Sequence, residues 1–236
     1  MIVLVDADSI AYKVSAVSEF EEDVAPHLDE KLMGMLQDYA PDEVYIFVKG
    51  YGNFRKLIAK TSEYKGNRKG REIPPYLGLA YNLLKKNWKA IECHGFEADD
   101  YIAMYSKYLR DNEIPFIIYS IDKDLQQIEG NHYNYDKDET TIVSKKEANE
   151  MLLQQLITGD NGDNIRFNHG YGVAKAKKIL NEHETTFGKI KAIRELYIKN
   201  YKSKYKEKYR ECRDLIKLVD DYNLVNIKLK FKQQYF

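Results

Sequence analysis

Ile2-Val3-Leu4-Val5-Asp6-Ala7-Asp8-Ser9 is the stretch from which the rest of the chain is read. Four apolar residues in a row describe a short strand buried on both faces, and the chain then turns acidic and enters a helix near Asp8 or Ser9. The same sequence of strand, acid and helix recurs. Ala90–Cys93 precedes Glu97-Ala98-Asp99-Asp100, and Phe116–Ile121 runs into Asp122-Lys123-Asp124. Apolar strands separated by helical patterns indicate an α/β fold with a mostly parallel central sheet covered on both faces. In such sheets ligands bind beyond the carboxyl ends of the strands, which is where Asp6, Glu97 and Asp122 fall.

A fourth acidic group, Asp160 and Asp163, lies in Gly159-Asp160-Asn161-Gly162-Asp163-Asn164 after the helical pattern Lys145–Thr158. Spacing lets each group point its oxygens together. Glu97 and Asp100 are three apart on one face of a helix start, with Asp99 between them. Asp122 and Asp124 are two apart, on one side of an extended chain. One such pair is explained by helix capping; four groups are not so easily explained. Two like charges about 5 Å apart at an effective dielectric near 20 repel by about 3 kcal/mol, so clustered carboxylates call for cations. All-carboxylate donors indicate Mg²⁺ or Mn²⁺, since zinc usually recruits His or Cys. Two such ions about 4 Å apart suit an in-line displacement at phosphorus. No Ser/His/Asp or Cys/His arrangement competes, and the phosphate-loop pattern is absent.

The remaining elements fill in around this frame. A second helix is expected over about Leu28–Tyr39, a strand over Val44–Val48, and a helix from Pro74-Pro75 to about Asn87. A further helix follows over Ala98–Asn112, and a hairpin over Tyr133–Tyr135 and Thr140–Val143. From Ser144 onward the pattern is wholly helical. Tyrosines 197, 201, 205 and 209 are spaced along one helical stripe that reads as packing, with base stacking the alternative. The chain is expected to be a single domain, with a metal-binding core over 1–158, an insertion over about 50–75 and a helical region over 159–236.

Lys+Arg and Asp+Glu both number 37, so net charge identifies no partner. Distribution is more informative. Residues 49–71 carry eight bases against one acid, Glu63, in a stretch that includes Arg55, Tyr64, Lys65 and Arg68. Lys and Arg there can neutralise phosphates, and Tyr64 can stack on a base. Gly170-Tyr171-Gly172 followed by Lys175 and Lys177 offers a second anion site, with backbone N–H groups at a helix start and glycines allowing close approach. Cys93 and Cys212 are far apart in sequence and show no metal-ligand spacing, which suits a reducing cytoplasm. The N-terminus reads as a strand and not a signal peptide. No apolar run nears the roughly 20 residues of a membrane span.

Taken in order, Val5-Asp6-Ala7-Asp8, Phe54-Arg55-Lys56, Glu63 to Arg68, Phe96 to Asp100, Ile121 to Asp124, Ile157 to Ile165 and Gly170 to Ala176 resemble the 5′-nuclease superfamily over residues 2–220. That superfamily includes flap endonucleases, the 5′-nuclease domain of bacterial DNA polymerase I and the bacteriophage 5′-exonucleases. The chain looks most similar to the compact phage flap endonucleases. The resemblance implies a PIN-like core with a helical arch and a C-terminal helix–hairpin–helix. It also implies divalent-metal-dependent hydrolysis near the 5′ ends of flapped, forked or free-ended DNA in replication or repair, with RNA–DNA hybrids as further substrates. By position, Asp6, Glu97, Asp99 and Asp100 would hold or orient a first metal, and Asp122, Asp124, Asp160 and Asp163 would serve a second. Lys65 and Arg68 would act on the scissile phosphate. Gly170, Gly172, Lys175 and Lys177 would grip the duplex, with K⁺ at the helix–hairpin–helix. A monomer working beside a replication polymerase or single-strand-binding protein is the implied setting.

One departure stands out. The superfamily places a further metal-site Asp after the second strand, where this chain has Val48 or Lys49; Asp8 is unusual there. This leaves three readings open: an active flap endonuclease or 5′-exonuclease, a catalytically impaired binder of branched DNA, or an RNA-directed nuclease of the PIN type.

Overall fold

The computed structural model describes residues 1–227 and 229. In chain order the strands are β1 (Ile2–Asp6), β2 (Glu43–Lys49), β3 (Ile91–Cys93), β4 (Phe116–Tyr119), β5 (Gly130–Asn134) and β6 (Glu139–Val143). The helices are α1 (Ala7–Val17), α2 (Val24–Tyr39), α3 (Arg55–Ile58), α4 (Leu77–Asn87), α5 (Ala98–Asp111), α6 (Lys145–Thr158), α7 (Val173–Asn181), α8 (Thr186–Tyr201) and α9 (Tyr205–Ile216). The chain divides into two compact units. Of the described residues, 1–52, 72–143, 218–227 and 229 form the first, and residues 53–71 with 144–217 form the second. The division therefore falls at 143/144 and not at 158/159, and the basic segment groups with the C-terminal helices.

The first unit is a six-stranded sheet in the order β3-β2-β1-β4-β5-β6, parallel except for the antiparallel edge strand β6. Alternation along the strands divides its core in two. Val3, Val5, Ile46, Val48, Ile117 and Tyr119 pack with Ile10, Val14, Leu28, Leu32, Ala80 and Leu84 from α1, α2 and α4. Ile2, Leu4, Tyr45, Phe47, Phe116 and Ile118 pack with Ile102, Ala103, Tyr105 and Leu109 of α5. Full burial of each such large side chain contributes about 1.5–3 kcal/mol. Val48 belongs to the first of these clusters and is 1% exposed. A carboxylate at that position would be a buried charge among aliphatic side chains.

In the second unit α6 opens with a capping box: Ser144 Oγ accepts from Glu147 N–H, and Glu147 returns a carboxylate to Ser144 N–H. It ends at Gly159, whose φ of 68° and ψ of −164° lie in a region open almost only to glycine. Paired bonds between Asp160 and Ile165 (N···O 2.9 and 2.7 Å) then close the turn. Leu153, Leu156, Ile157, Ile165, Phe167, Ala176, Ile193, Tyr197, Cys212 and Leu215 form its core.

The region after Ser144 is not wholly helical. The loop 159–172 separates α6 from α7, and after Ile216 the described chain is irregular apart from a short 3₁₀ turn at Tyr222–Leu224. Nor do the four tyrosines lie on one helix. Lys202, at φ 49°, breaks the chain between α8 and α9. Packing is nevertheless their role: Tyr197 is fully buried, donates to Leu156 O (2.9 Å) and meets Tyr209 edge-on at 5.5 Å.

A Cβ on Gly159 would lie 2.1 Å from the carbonyl oxygen of Ile165. Gly159→Ala is therefore expected to cost at least about 2 kcal/mol, from the clash together with the strained φ/ψ. Urea unfolding would measure this; an unchanged midpoint would show that the turn yields freely.

Candidate active site

The carboxyl edge of the parallel strands collects the first three acidic groups. Asp6 ends β1 and is 4% exposed. Its carboxylate caps α1 by accepting from Asp8 N–H (3.3 Å), and it also accepts from Ser120 Oγ (2.9 Å) and Ser9 Oγ (3.4 Å). Ser120 Oγ in turn accepts from Asp122 N–H (2.9 Å), so one hydroxyl ties the end of β1 to the segment after β4. Burial pushes the Asp6 carboxyl up to about 7, and the nearby Asp8 and Asp122 charges push the same way. Asp122 caps the next 3₁₀ turn by accepting from Asp124 N–H (2.8 Å).

Glu97 and Asp100 form the capping box that starts α5. Asp100 is fully buried, and its two oxygens accept Glu97 N–H (3.1 Å) and Val219 N–H (2.9 Å). Its carboxylate therefore fastens Val219 to α5, a structural duty that the sequence pattern did not reveal. Asp99 is half-buried beside it. The capping explanation and the cluster explanation thus hold together: Asp6, Glu97, Asp100 and Asp122 each cap a helix or turn, and the sheet still gathers them at one edge.

Asp8 reaches the end of β2, where Lys49 N–H donates to it at 2.8 Å. Tyr81 hydrogen-bonds the same carboxylate, and burial together with Asp8 raises that phenol well above its ordinary value. The Cys93 thiol at the end of β3 is raised by burial and by Asp8, Asp99 and Asp100. A carboxylate does therefore stand at the end of β2, delivered by α1 instead of by the strand.

Among the described residues no group of three or more His, Cys, Asp or Glu side chains closes around a metal position. The donors do suit an oxygen-preferring divalent cation in kind: all are carboxylates, and the buried Asp6 is crowded by two others.

The second unit carries the bases. Tyr64 is buried, and its hydroxyl donates to Asp163 Oδ2 (2.5 Å). Base stacking by Tyr64 is thereby corrected, because its ring is core. Arg55 is likewise 2% exposed, donating from Nε to Leu215 O (2.8 Å) and from a terminal nitrogen to Lys217 O (3.2 Å). It is a structural staple and not a phosphate contact. Arg68 pairs with Asp163 Oδ1 at 2.7 Å, and Lys65 Nζ lies 3.6 Å from the other oxygen. Asp163 thus serves as the anchor of Tyr64, Lys65 and Arg68, a role distinct from the metal ligation expected of it. Asp160 Oδ1 accepts from Gly162 N–H at 2.6 Å inside the turn. Gly170 has a φ of 79°, Gly172 is the N-cap of α7, Lys175 donates to Gly170 O (2.8 Å), and Lys177 is exposed.

The chain is thus an α/β protein with a mostly parallel sheet and acids at its carboxyl edge, and its second unit carries a basic loop and a Gly-x-Gly helix start. Residues 1–158 match the 5′-3′ exonuclease, N-terminal resolvase-like domain, and the chain belongs to that family. It is 28% identical over 237 residues to DNA polymerase I of Bacillus subtilis, covering 87% of this chain and 26% of that one. It is 32% identical over 150 residues to DNA polymerase I of Rhizobium leguminosarum, covering 58% of this chain and 15% of that one. The chain thus spans about a quarter or less of these relatives. A bacteriophage T5 flap endonuclease solved as a pseudo-enzyme–product complex with DNA and metal ions shares the fold, with a TM-score of 0.74 at 19% identity. The match covers 92% of this chain and 89% of that one. Among the described residues no helix is long and apolar enough to cross a membrane.

Ser9, Ser120, Tyr81 and Tyr135 escaped the sequence reading; Tyr135 Oη lies 2.7 Å from Ser9 Oγ. Hydroxyls carry no periodic signal, although Ser120 directly precedes the acidic Ile121–Asp124 stretch. The Asp6 shift yields a signed prediction. Its folded-state value of about 7 exceeds the model-peptide value of 3.8, so the native state holds the proton more tightly across that window. In chelator, stability should fall as pH rises from about 4 to 7. Asp6→Asn should flatten that fall and raise the chelator-state melting temperature at pH 8. A melting profile in which the variant tracks the wild type would show that the carboxylates do not crowd each other.

Proposed function

We propose that this chain is a divalent-metal-dependent 5′-nuclease, a flap endonuclease and 5′-3′ exonuclease that hydrolyses phosphodiesters near the 5′ ends of branched DNA. The observation that supports it most is the acidic carboxyl edge, built on the sheet of a chain that belongs to the 5′-3′ exonuclease family. Asp6, Glu97, Asp99, Asp122 and Asp124 are the residues that would hold Mg²⁺ or Mn²⁺. When bound, such ions supply an activated water and neutralise charge developing on the phosphoryl oxygens. Ser120 holds Asp6 and the Asp122 backbone in register.

Lys65 and Arg68 are the cations proposed to act on the scissile phosphate. Each is partly neutralised by Asp163, and a phosphate oxygen is a stronger charge-assisted partner for a guanidinium. Gly170, Gly172, Lys175 and Lys177 are proposed to meet the duplex backbone as a helix–hairpin–helix with K⁺. The partners are DNA with a 5′ flap, fork or free 5′ end, RNA–DNA hybrids, and a polymerase or single-strand-binding protein; the chain would act as a cytoplasmic monomer.

A second reading, a branched-DNA binder without catalysis, is motivated by the apolar Val48 at the end of β2. Cleavage of a labelled 5′-flap substrate in Mg²⁺ or Mn²⁺ separates the two. The wild type is expected to cleave. Asp122→Asn should slow the rate at least about a hundredfold, since it removes a carboxylate needed only for chemistry, while binding changes less than about threefold. Tight binding with no cleavage in either metal would favour the second reading.

A further inference from the structure

The basic loop is not a loose appendage, and the residue that fixes it lies far away in sequence. Glu211, on α9, is 8% exposed. It accepts Lys60 N–H (2.7 Å) and Thr61 N–H (2.5 Å) on one oxygen, and Thr61 Oγ1 (2.7 Å) on the other. Lys208 Nζ, one turn earlier, lies 3.3 Å from that second oxygen and donates to Thr61 Oγ1 at 2.8 Å. Burial alone would raise this carboxyl, but the Thr61, Lys60 and Lys208 donors hold it below the usual range. A buried carboxylate with this many donors is a rigid fixture, because each charge-assisted bond is about twice as strong as a neutral one.

The loop it holds borders a cavity of about 700 Å³ lined by, among others, Lys56, Lys60, Lys65, Arg68 and Lys69. Three of these cations are already committed: Lys65 and Arg68 to Asp163, and Lys69 to Glu63 at 2.8 Å. Lys56 and Lys60 are exposed and have no ion-pair partner among the described residues. Glu211 grips the backbone of Lys60 itself.

We infer that Glu211 is a positioning residue that holds the unpaired cation Lys60 against this cavity, beside Lys56 of α3, where the two take the phosphodiesters of a single-stranded nucleic-acid tail. A loop tied down before binding loses less conformational entropy when the polyanion arrives. A single strand is the favoured occupant because two unpaired cations bordering a cavity suit a flexible backbone. The inference rests on the nucleic-acid reading proposed above.

The test uses the full chain in chelator, with a 5′-tailed duplex and a blunt duplex of the same sequence as probes. Glu211→Ala should speed tryptic cleavage after Lys56 and Lys60 at least about tenfold, and weaken the tailed duplex about tenfold with the blunt one unchanged. Its salt slope should drop by about 0.7, the loss of the single-strand phosphate contact made by Lys60. Glu211→Gln keeps a carbonyl oxygen for the Lys60 and Thr61 N–H groups and should restore most of both effects. Lys60→Ala should copy the binding loss without exposing the peptide bond after Lys56. Should Glu211→Ala fail to fold, Thr61→Val removes only the hydroxyl's bonds and should give a smaller change of the same kind. Unchanged tryptic rates, or equal losses on both duplexes, would overturn the inference. If the wild type binds neither duplex, the nuclease reading falls, and the inferred ligand with it.

Discussion

Electrostatic crowding at the carboxyl edge of one parallel sheet is the constraint on which the rest of this structure depends. Parallel pairing brings strand ends together by construction; β1, β3 and β4 lead into acids, and β2 meets Asp8 from α1. Asp6 bears the cost most directly: it is buried, it has Asp8 and Asp122 as neighbours, and its carboxyl resists ionisation. Ser120, Ser9 and Tyr135 form a hydroxyl framework that holds it in place. Helix and turn starts meet part of the charge as well, since Asp6, Glu97 and Asp122 all lie where N–H dipoles point outward. Cations would meet the remainder.

In the second unit the problem is reversed, because bases are concentrated in a loop of fewer than twenty residues. Two acids organise it. Asp163 gathers Tyr64, Lys65 and Arg68, and Glu211 takes the backbone at Lys60 and Thr61. Arg55 is spent on the carbonyls of Leu215 and Lys217. A charge in a basic run is thus either a structural fixture or a ligand contact, and only burial separates the two.

Much of this was legible in the sequence. The short continuous apolar runs and the acids beyond them set out the sheet and its working edge, because both follow from local pattern. What stayed hidden required tertiary information. Asp100 reads as a metal-site acid and Glu211 as an ordinary helix acid until Val219 N–H and the backbone at Lys60 arrive from more than a hundred residues away. Tyr64 reads as an exposed aromatic in a basic run, yet it is core. The break at Lys202 was masked by tyrosines whose spacing happens to continue across it. Asp8 was visible as an oddity, and only the geometry shows that it stands where β2 ends.

The central claim is that the carboxyl edge is a divalent-cation site, and the most direct measurement is a count of bound ions. Chelator-stripped protein titrated with Mn²⁺ and followed by electron paramagnetic resonance should bind two ions with an uncleavable 5′-flap duplex present. Asp6→Asn should lose at least one. Saturation with no protein-bound manganese, or binding indifferent to Asp6, would contradict the account.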